Sequence, residues 1–326
     1  EIASCLVGSE MCIRDSDRCD LMEYTKSNKV VLIGDGAVGS SYAYTLVTQG
    51  IVDELAIIDV NEERVAGDIQ DLAHASALCA KKTNLKVGTY EDCADADIVV
   101  ITAGVNQKPH ETRLDLVTKN TEIYKDIISN IMAHKFSGIF IIATNPVDIM
   151  TYVTKKLSGF PKEKVIGSGT VLDSARFRHE LALLTGIAPT NIDAQIIGEH
   201  GDSELAVWSN VQIAGQSLDK YRTHYPLTEN ELNQAYINTK EAAYHIIKAK
   251  GATCYGIAMA LTEITVAILS NQNKVLTVSS YLENNDVYIG VPTLINRNGA
   301  MQIYEVVLNS MEAVSYTHLT LPTNRE

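Results

Sequence analysis

An apolar run, Val30-Val31-Leu32-Ile33, breaks directly into Gly34-Asp35-Gly36-Ala37-Val38-Gly39 and is followed by a helical stretch that ends near Gly50. This passage constrains the fold more than any other. A strand that becomes a helix across three glycines needs the first for the tight turn and the second for close approach of backbone to a pyrophosphate. The third lets the helix pack closely on the sheet and leaves the phosphates at its positive N-terminus. Alone, a GxGxxG pattern is weak, because a chance glycine turn would produce it. Here a second apolar strand, Leu55 to Val60, carries Asp59 about 20 residues past Gly39, the spacing of a carboxylate that binds ribose hydroxyls. The same carboxylate repels a 2′-phosphate, which favours NAD over NADP.

The alternation continues. A helix is expected from Glu62 to Ala77, strands at Leu85–Val87, Ile98–Thr102 and Ile139–Ala143, and a long helix from Leu114 to Ala133. Short apolar strands separated by helices make βαβ units, hence a Rossmann-type α/β fold with a doubly wound parallel sheet. From about Gly167 the pattern changes. Helices at Leu172–Thr185, Glu229–Lys250 and Tyr255–Leu269 mix with strands at Ile192–Ile197, Val275–Tyr281 and Asp286–Ile289. A chain of 326 residues accommodates both parts: a dinucleotide-binding domain over 22–166 and an α+β catalytic and substrate domain over 167–313. Residues 1–21 and 314–326 continue no neighbouring periodicity. They are expected to be a non-native leader and tail, with Met22 as the native start.

Net charge excludes several functions. With 27 Lys+Arg against 40 Asp+Glu the chain carries −13, which attracts neither nucleic-acid phosphates nor anionic lipid. No apolar run approaches the ~20 residues that span a bilayer. The six cysteines show no zinc-ligand spacing, so no metal is expected. Free thiols without a secretory signal point to the cytoplasm.

Further motifs follow in order: Thr102-Ala103-Gly104, Asn106-Gln107-Lys108-Pro109, Thr112-Arg113-Leu114, Ala143-Thr144-Asn145-Pro146-Val147-Asp148, Gly167-Ser168-Gly169-Thr170-Val171-Leu172-Asp173-Ser174-Ala175-Arg176, and Gly198-Glu199-His200-Gly201-Asp202. With them the chain resembles the bacterial NAD-dependent L-lactate dehydrogenases of the lactate/malate dehydrogenase family, from about Lys29 to Glu312. The resemblance implies reversible reduction of pyruvate to L-lactate with NADH, and a homotetramer. It implies that Gly34, Gly36, Val38, Gly39, Asp59, Gly104, Thr144, Asn145 and Ser168 receive NAD. Gln107, Asn145, Asp148, Arg176 and Thr253 would meet the substrate.

Residue chemistry agrees with these roles. An imidazole that titrates near neutrality suits proton transfer in either direction, and the resemblance makes His200 the acid/base. His74, His134, His179, His224 and His245 read as structural. Asp173 resembles the buried carboxylate that orients this imidazole; a helix-start aspartate would need no such role. Arg176, three residues on, shares its helix face and could grip a carboxylate through two parallel hydrogen bonds or form an ion pair on the helix surface. Arg113 lies in the loop that, in the family, closes over substrate and polarises its carbonyl.

Gln107 separates pyruvate from oxaloacetate. The alternative reading is a malate dehydrogenase or another 2-hydroxy acid dehydrogenase, and malate dehydrogenases carry arginine there. A neutral side chain leaves oxaloacetate's second carboxylate unpaired, at a cost of several kcal/mol. A scaffold that binds NAD without catalysis would be expected to lose His200, Arg113 or Arg176, and all three are present.

Three departures from the family pattern carry expectations. His110 stands where a glycine is usual in the mobile loop, which restricts its backbone. Arg178 matches the arginine of the fructose 1,6-bisphosphate site of many bacterial members, but Asp193 replaces its histidine, so activation by this sugar is not expected. After Ala313, Val314–Glu326 with Pro322 and β-branched residues is expected not to form the family's final helix.

Overall fold

Continuous apolar segments that are buried on both faces require helices above and below the sheet, and the four-residue strand Ile98–Ile101 is buried throughout. The computed structural model describes residues 27–105, 112–201 and 203–320, with the side chains of Arg113 and of 318–320 outside that set. Gln107, His110, Asp202 and the expected leader therefore lie outside the described residues. The first half runs β1 (Lys29–Ile33), α1 (Ala37–Thr48), β2 (Glu54–Ile58), α2 (Glu62–Ser76), β3 (Asn84–Val87), β4 (Ile98–Ile101), α3 (Arg113–Ala133), β5 (Ile139–Ile142), α4 (Val147–Ser158) and β6 (Val165–Gly167). These six strands are parallel, in the order β3-β2-β1-β4-β5-β6. The order reverses between β1 and β4, and such a reversal opens a crevice at the carboxyl ends of the strands.

The second half comprises α5 (Val171–Thr185), β7 (Ile192–Asp193), β8 (Ile196–Gly198), β9 (Glu204–Ala206), β10 (Gln212–Ile213), β11 (Gln216–Ser217), α6 (Leu218–His224), α7 (Glu229–Lys250), α8 (Tyr255–Leu269), β12 (Lys274–Leu282), β13 (Val287–Asn296), β14 (Gly299–Ile303) and α9 (Ser310–Thr320). Its long strands extend the same sheet rather than building a separate one. Gly167 at the end of β6 pairs antiparallel with Ser279 of β12, and β13, β8 and β9 follow. Helix α8 packs back on α1, where the Tyr42 hydroxyl meets Thr265 Oγ1 at 2.7 Å. A further core joins Phe177 of α5 to Trp208 and Tyr236 in edge-on ring contacts, worth about 1 kcal/mol each beyond burial.

Two sequence expectations fail here. Ile192–Ile197 is not one strand. Residues 192–193 pair with β10 in a small three-stranded sheet, while 196–198 join the large sheet. The sequence hides this change of partner because Ile192, Ala194, Ile196 and Ile197 are all buried whichever sheet they join.

The final helix does form. Asn309 Oδ1 accepts the backbone N–H groups of Met311 and Glu312 at 3.0 Å, and Glu312 Oε2 accepts that of Asn309 at 2.9 Å. Glu312 also takes the Ser209 hydroxyl at 2.6 Å. This reciprocal cap lies ahead of residue 314 and contributes about 1 kcal/mol. It outweighs the few tenths lost at each β-branched residue.

Candidate active site

Two of the three glycines of the β1–α1 turn answer a steric demand. Gly34 has φ +105°, and a Cβ there would lie 2.4 Å from the Ala103 backbone nitrogen. A Cβ on Gly39 would lie 1.9 Å from the Gly34 carbonyl oxygen. Gly36, by contrast, faces open space, leaving its backbone approachable at the start of α1. Asp59, just past β2, accepts the backbone N–H groups of Asp35 (2.7 Å) and Asn61 (3.0 Å). These bonds fix its carboxylate at the crevice and leave lone pairs for hydroxyl donors. An open glycine at a helix N-terminus beside an oriented carboxylate fits a dinucleotide.

Val38 packs its half-buried side chain on the core beneath this turn. Thr144 is buried, donating to the Ala103 carbonyl at 2.7 Å and accepting from the Tyr124 hydroxyl at 2.7 Å. Its methyl occupies the space a Cβ on Gly104 would need. Ser168 binds β5 through its backbone at 2.8 Å. Asn145 is exposed at the end of β5 and precedes a cis-proline; the Asn120 amide donates to its backbone carbonyl at 2.8 Å. One group here has no counterpart in the sequence expectations. Asp35 is buried, and neither of its carboxyl oxygens has a partner among the described residues. Burial first, then Asp68, pushes its carboxyl up to about 7.

A second cluster forms where α5, β8 and α4 converge. Asp173, in the first turn of α5, is only 3% exposed in its side chain. It bridges two bases: His200 Nδ1 lies 2.6 Å from Oδ2, and Arg176 Nη1 donates to Oδ1 at 2.9 Å. The i,i+3 ion pair thus exists, but it is buried rather than on the surface. Burial alone would raise the Asp173 carboxyl; His200 and Arg176 together hold it below the ordinary range. Burial would lower the His200 imidazole, but Asp173 first, then Asp148 and Glu204, outweigh it and raise it to about 9. Nδ1 is committed to Asp173, so Nε2 is the nitrogen free to exchange a proton with a ligand.

The Asp148 carboxylate accepts the backbone N–H of His200 at 3.0 Å and the hydroxyl of Ser279, and it is buried. These bonds tie α4 to the histidine loop and to β12. Burial pushes its carboxyl up to about 6, against these two donors. Ser279 was not marked by sequence reasoning, since a serine inside an apolar strand carries no signal. Thr253 is half-buried in the turn between α7 and α8, and no hydrogen bond among the described residues ties its side chain to this cluster. Thr112 caps α3 through Asp115, placing Arg113 at the helix start; its side chain, like Gln107, lies outside the described residues.

The arrangement pairs a dinucleotide crevice with a proton donor and a guanidinium. Two family models match the chain: the NAD-binding domain of lactate/malate dehydrogenase matches residues 28–167, and the α/β C-terminal domain matches 170–320. The chain belongs to the lactate/malate dehydrogenase family. As a member it is an NAD-dependent oxidoreductase. The L-lactate dehydrogenase of Staphylococcus saprophyticus is 59% identical over 300 residues, covering 91% of this chain and 94% of its own length. L-lactate dehydrogenase 1 of Staphylococcus aureus is 56% identical over 301 residues, covering 91% and 95%. A crystal structure of minor L-lactate dehydrogenase from Enterococcus mundtii with ligands bound superposes with a TM-score of 0.87 at 44% identity, covering 90% of this chain and 95% of that one. Among the described residues no helix is long and apolar enough to cross a membrane.

Proposed function

We propose that this dehydrogenase interconverts pyruvate and L-lactate, with His200 as proton donor and acceptor. The observation that carries the reading is the bridging of His200 and Arg176 by one buried carboxylate. It sets a charged proton donor beside a guanidinium that can hold a carboxylate. NADH, when bound along the Gly34–Gly39 turn, supplies the hydride. Arg176 keeps donors free beyond its bond to Asp173 and anchors the pyruvate carboxylate. His200 passes its Nε2 proton to the carbonyl oxygen as charge develops there, and Asp173 stabilises the imidazolium before transfer. Arg113 polarises that carbonyl, and Gln107 leaves a second carboxylate unmatched.

Initial rates with NADH and either pyruvate or oxaloacetate test the assignment. Pyruvate is expected to be preferred by about 100-fold or more in kcat/KM, the scale of one unpaired buried charge. A preference for oxaloacetate assigns the chain to malate instead.

The reading includes independence from fructose 1,6-bisphosphate. Asp193 is exposed on β7, and Arg178, in α5, donates to the Ala194 carbonyl at 3.5 Å. A carboxylate in place of the site's histidine repels a bisphosphate. A titration with millimolar sugar is expected to leave the pyruvate KM within twofold; a tenfold fall overturns this part. Self-association as a homotetramer also belongs to the reading. It is supported by apolar side chains left exposed on α1 and α8, Tyr44 and Met259 among them. The unpaired thiols of Cys79, Cys93 and Cys254 fit a reducing cytoplasm.

A further inference from the structure

A third carboxyl stands behind the His200–Asp173 pair, and the reaction as described does not use it. Glu204 opens β9 and pairs across the ladder with Gly198, two residues before His200. It is 7% exposed, and its Oε1 is buried with no hydrogen-bond partner among the described residues. Its backbone carbonyl is held by the Tyr236 hydroxyl at 2.7 Å. An ionised carboxylate in this setting is costly unless a cation answers it. Among the described residues, the charged and titratable groups facing it are Asp173 and Arg176 from α5, His200 from the loop after β8, and Lys240 and Tyr236 from α7.

We propose that Glu204 is a positioning residue for the proton-transfer step: a third carboxyl, beside Asp173 and Asp148, whose ionisation stabilises the His200 imidazolium and carries pyruvate reduction into alkaline solution. This rests on the reading of His200 as proton donor. At neutral pH Glu204 holds a proton, which lets two carboxyls occupy one buried neighbourhood. Burial and then Asp173 push its carboxyl up to about 8, while His200, Lys240 and Arg176 draw it back down. As Glu204 loses that proton, a negative charge appears beside the imidazolium and opposes its deprotonation. The two groups then titrate as a pair, and His200 holds its proton at higher pH than Asp173 and Asp148 would allow without it.

The test combines two readouts on the full-length enzyme and Glu204→Gln. The first is the titration of ¹³C-histidine-labelled protein by NMR, with the His200 signal assigned by its loss in His200→Asn. The second is kcat/KM for pyruvate from pH 6 to 11. In Glu204→Gln, the His200 pKa is expected to fall by about one unit, and the ratio of activity at pH 9 to that at pH 7 to fall about fivefold. NADH affinity, read by nucleotide fluorescence, checks that the variant is folded. A folded variant whose His200 titrates within 0.2 units of the parent overturns the proposal. Should the variant fail to fold, the parent alone decides: the His200 signal is expected to show a preceding step near pH 8, and a single-step titration overturns the proposal. A shifted NMR titration with an unmoved rate profile supports the role of Glu204 and overturns His200 as proton donor, so the two readings fail separately.

Discussion

Replacement of His200 by asparagine is expected to slow pyruvate reduction by about 10²–10⁴-fold, the contribution of a positioned acid, while NADH binds within about threefold of the parent affinity. Asparagine approximates the imidazole edge that meets Asp173 but cannot donate a proton at neutral pH. Stopped-flow oxidation of pre-bound NADH separates the chemical step from release and is the measurement of choice. The substitution also has a stability signature whose sign is fixed. The folded imidazole keeps its proton up to about pH 9, whereas an unfolded histidine loses it near ~6.5. The pairing with Asp173 therefore stabilises the fold fully below ~6.5 and fades as pH rises through 9. Its size is on the order of 2 kcal/mol, discounted for the quarter of the side chain that solvent reaches. His200→Asn should lower Tm clearly at pH 6 and little at pH 10. An equal loss at both ends would place the stabilisation in packing rather than charge, and unimpaired NADH oxidation would remove His200 from the reaction.

The cofactor crevice was legible because its physics is local. Three glycines, a strand before and a helix after, and Asp59 at the end of the next strand can all be read along one stretch of chain, and the structure shows Gly34 and Gly39 crowded by backbone and Asp59 accepting the Asp35 N–H. Asp173 and Arg176 were legible for the same reason, being three apart on one helix. What the sequence hides is what comes from elsewhere. Asp148 and Ser279 are far apart in sequence, and only the antiparallel pairing of β6 with β12 brings Ser279 to that carboxylate. Glu204 reads as an ordinary acidic residue after a turn until the β8–β9 ladder buries it. Strand β13 was half seen. Gly290 and Pro292 look like breakers, yet Gly290 is required because a Cβ there would strike Thr170 Oγ1 at 2.6 Å. Pro292 lies opposite Thr277 within the ladder and offers its carbonyl to the Tyr304 N–H at 2.8 Å. Helix α9 is hidden because residues 314–326 carry poor helix propensity by themselves, while the cap that starts the helix lies at Asn309 and Glu312.

Exchange of Arg176 for glutamine is expected to raise the pyruvate KM by about 100- to 1,000-fold, the effect of removing one partner of a desolvated ion pair. A second consequence separates this variant from ordinary loss of a binding contact. In the free enzyme Arg176 also holds Asp173 at 2.9 Å, so its removal leaves that buried carboxylate with His200 alone. The Asp173 carboxyl then rises and the imidazole is drawn closer to it as the sole counter-charge. The pH profile of kcat should therefore move along with KM. Arg176→Lys supplies the contrast: it retains charge near Asp173 but loses the two-pronged geometry. It should restore the pH profile while leaving KM at least tenfold above the parent. If lysine instead recovers both, Arg176 acts as a charge and not as a fork. If glutamine raises neither, the pyruvate carboxylate is anchored elsewhere, and the buried triad of Arg176, Asp173 and His200 serves the fold rather than the substrate.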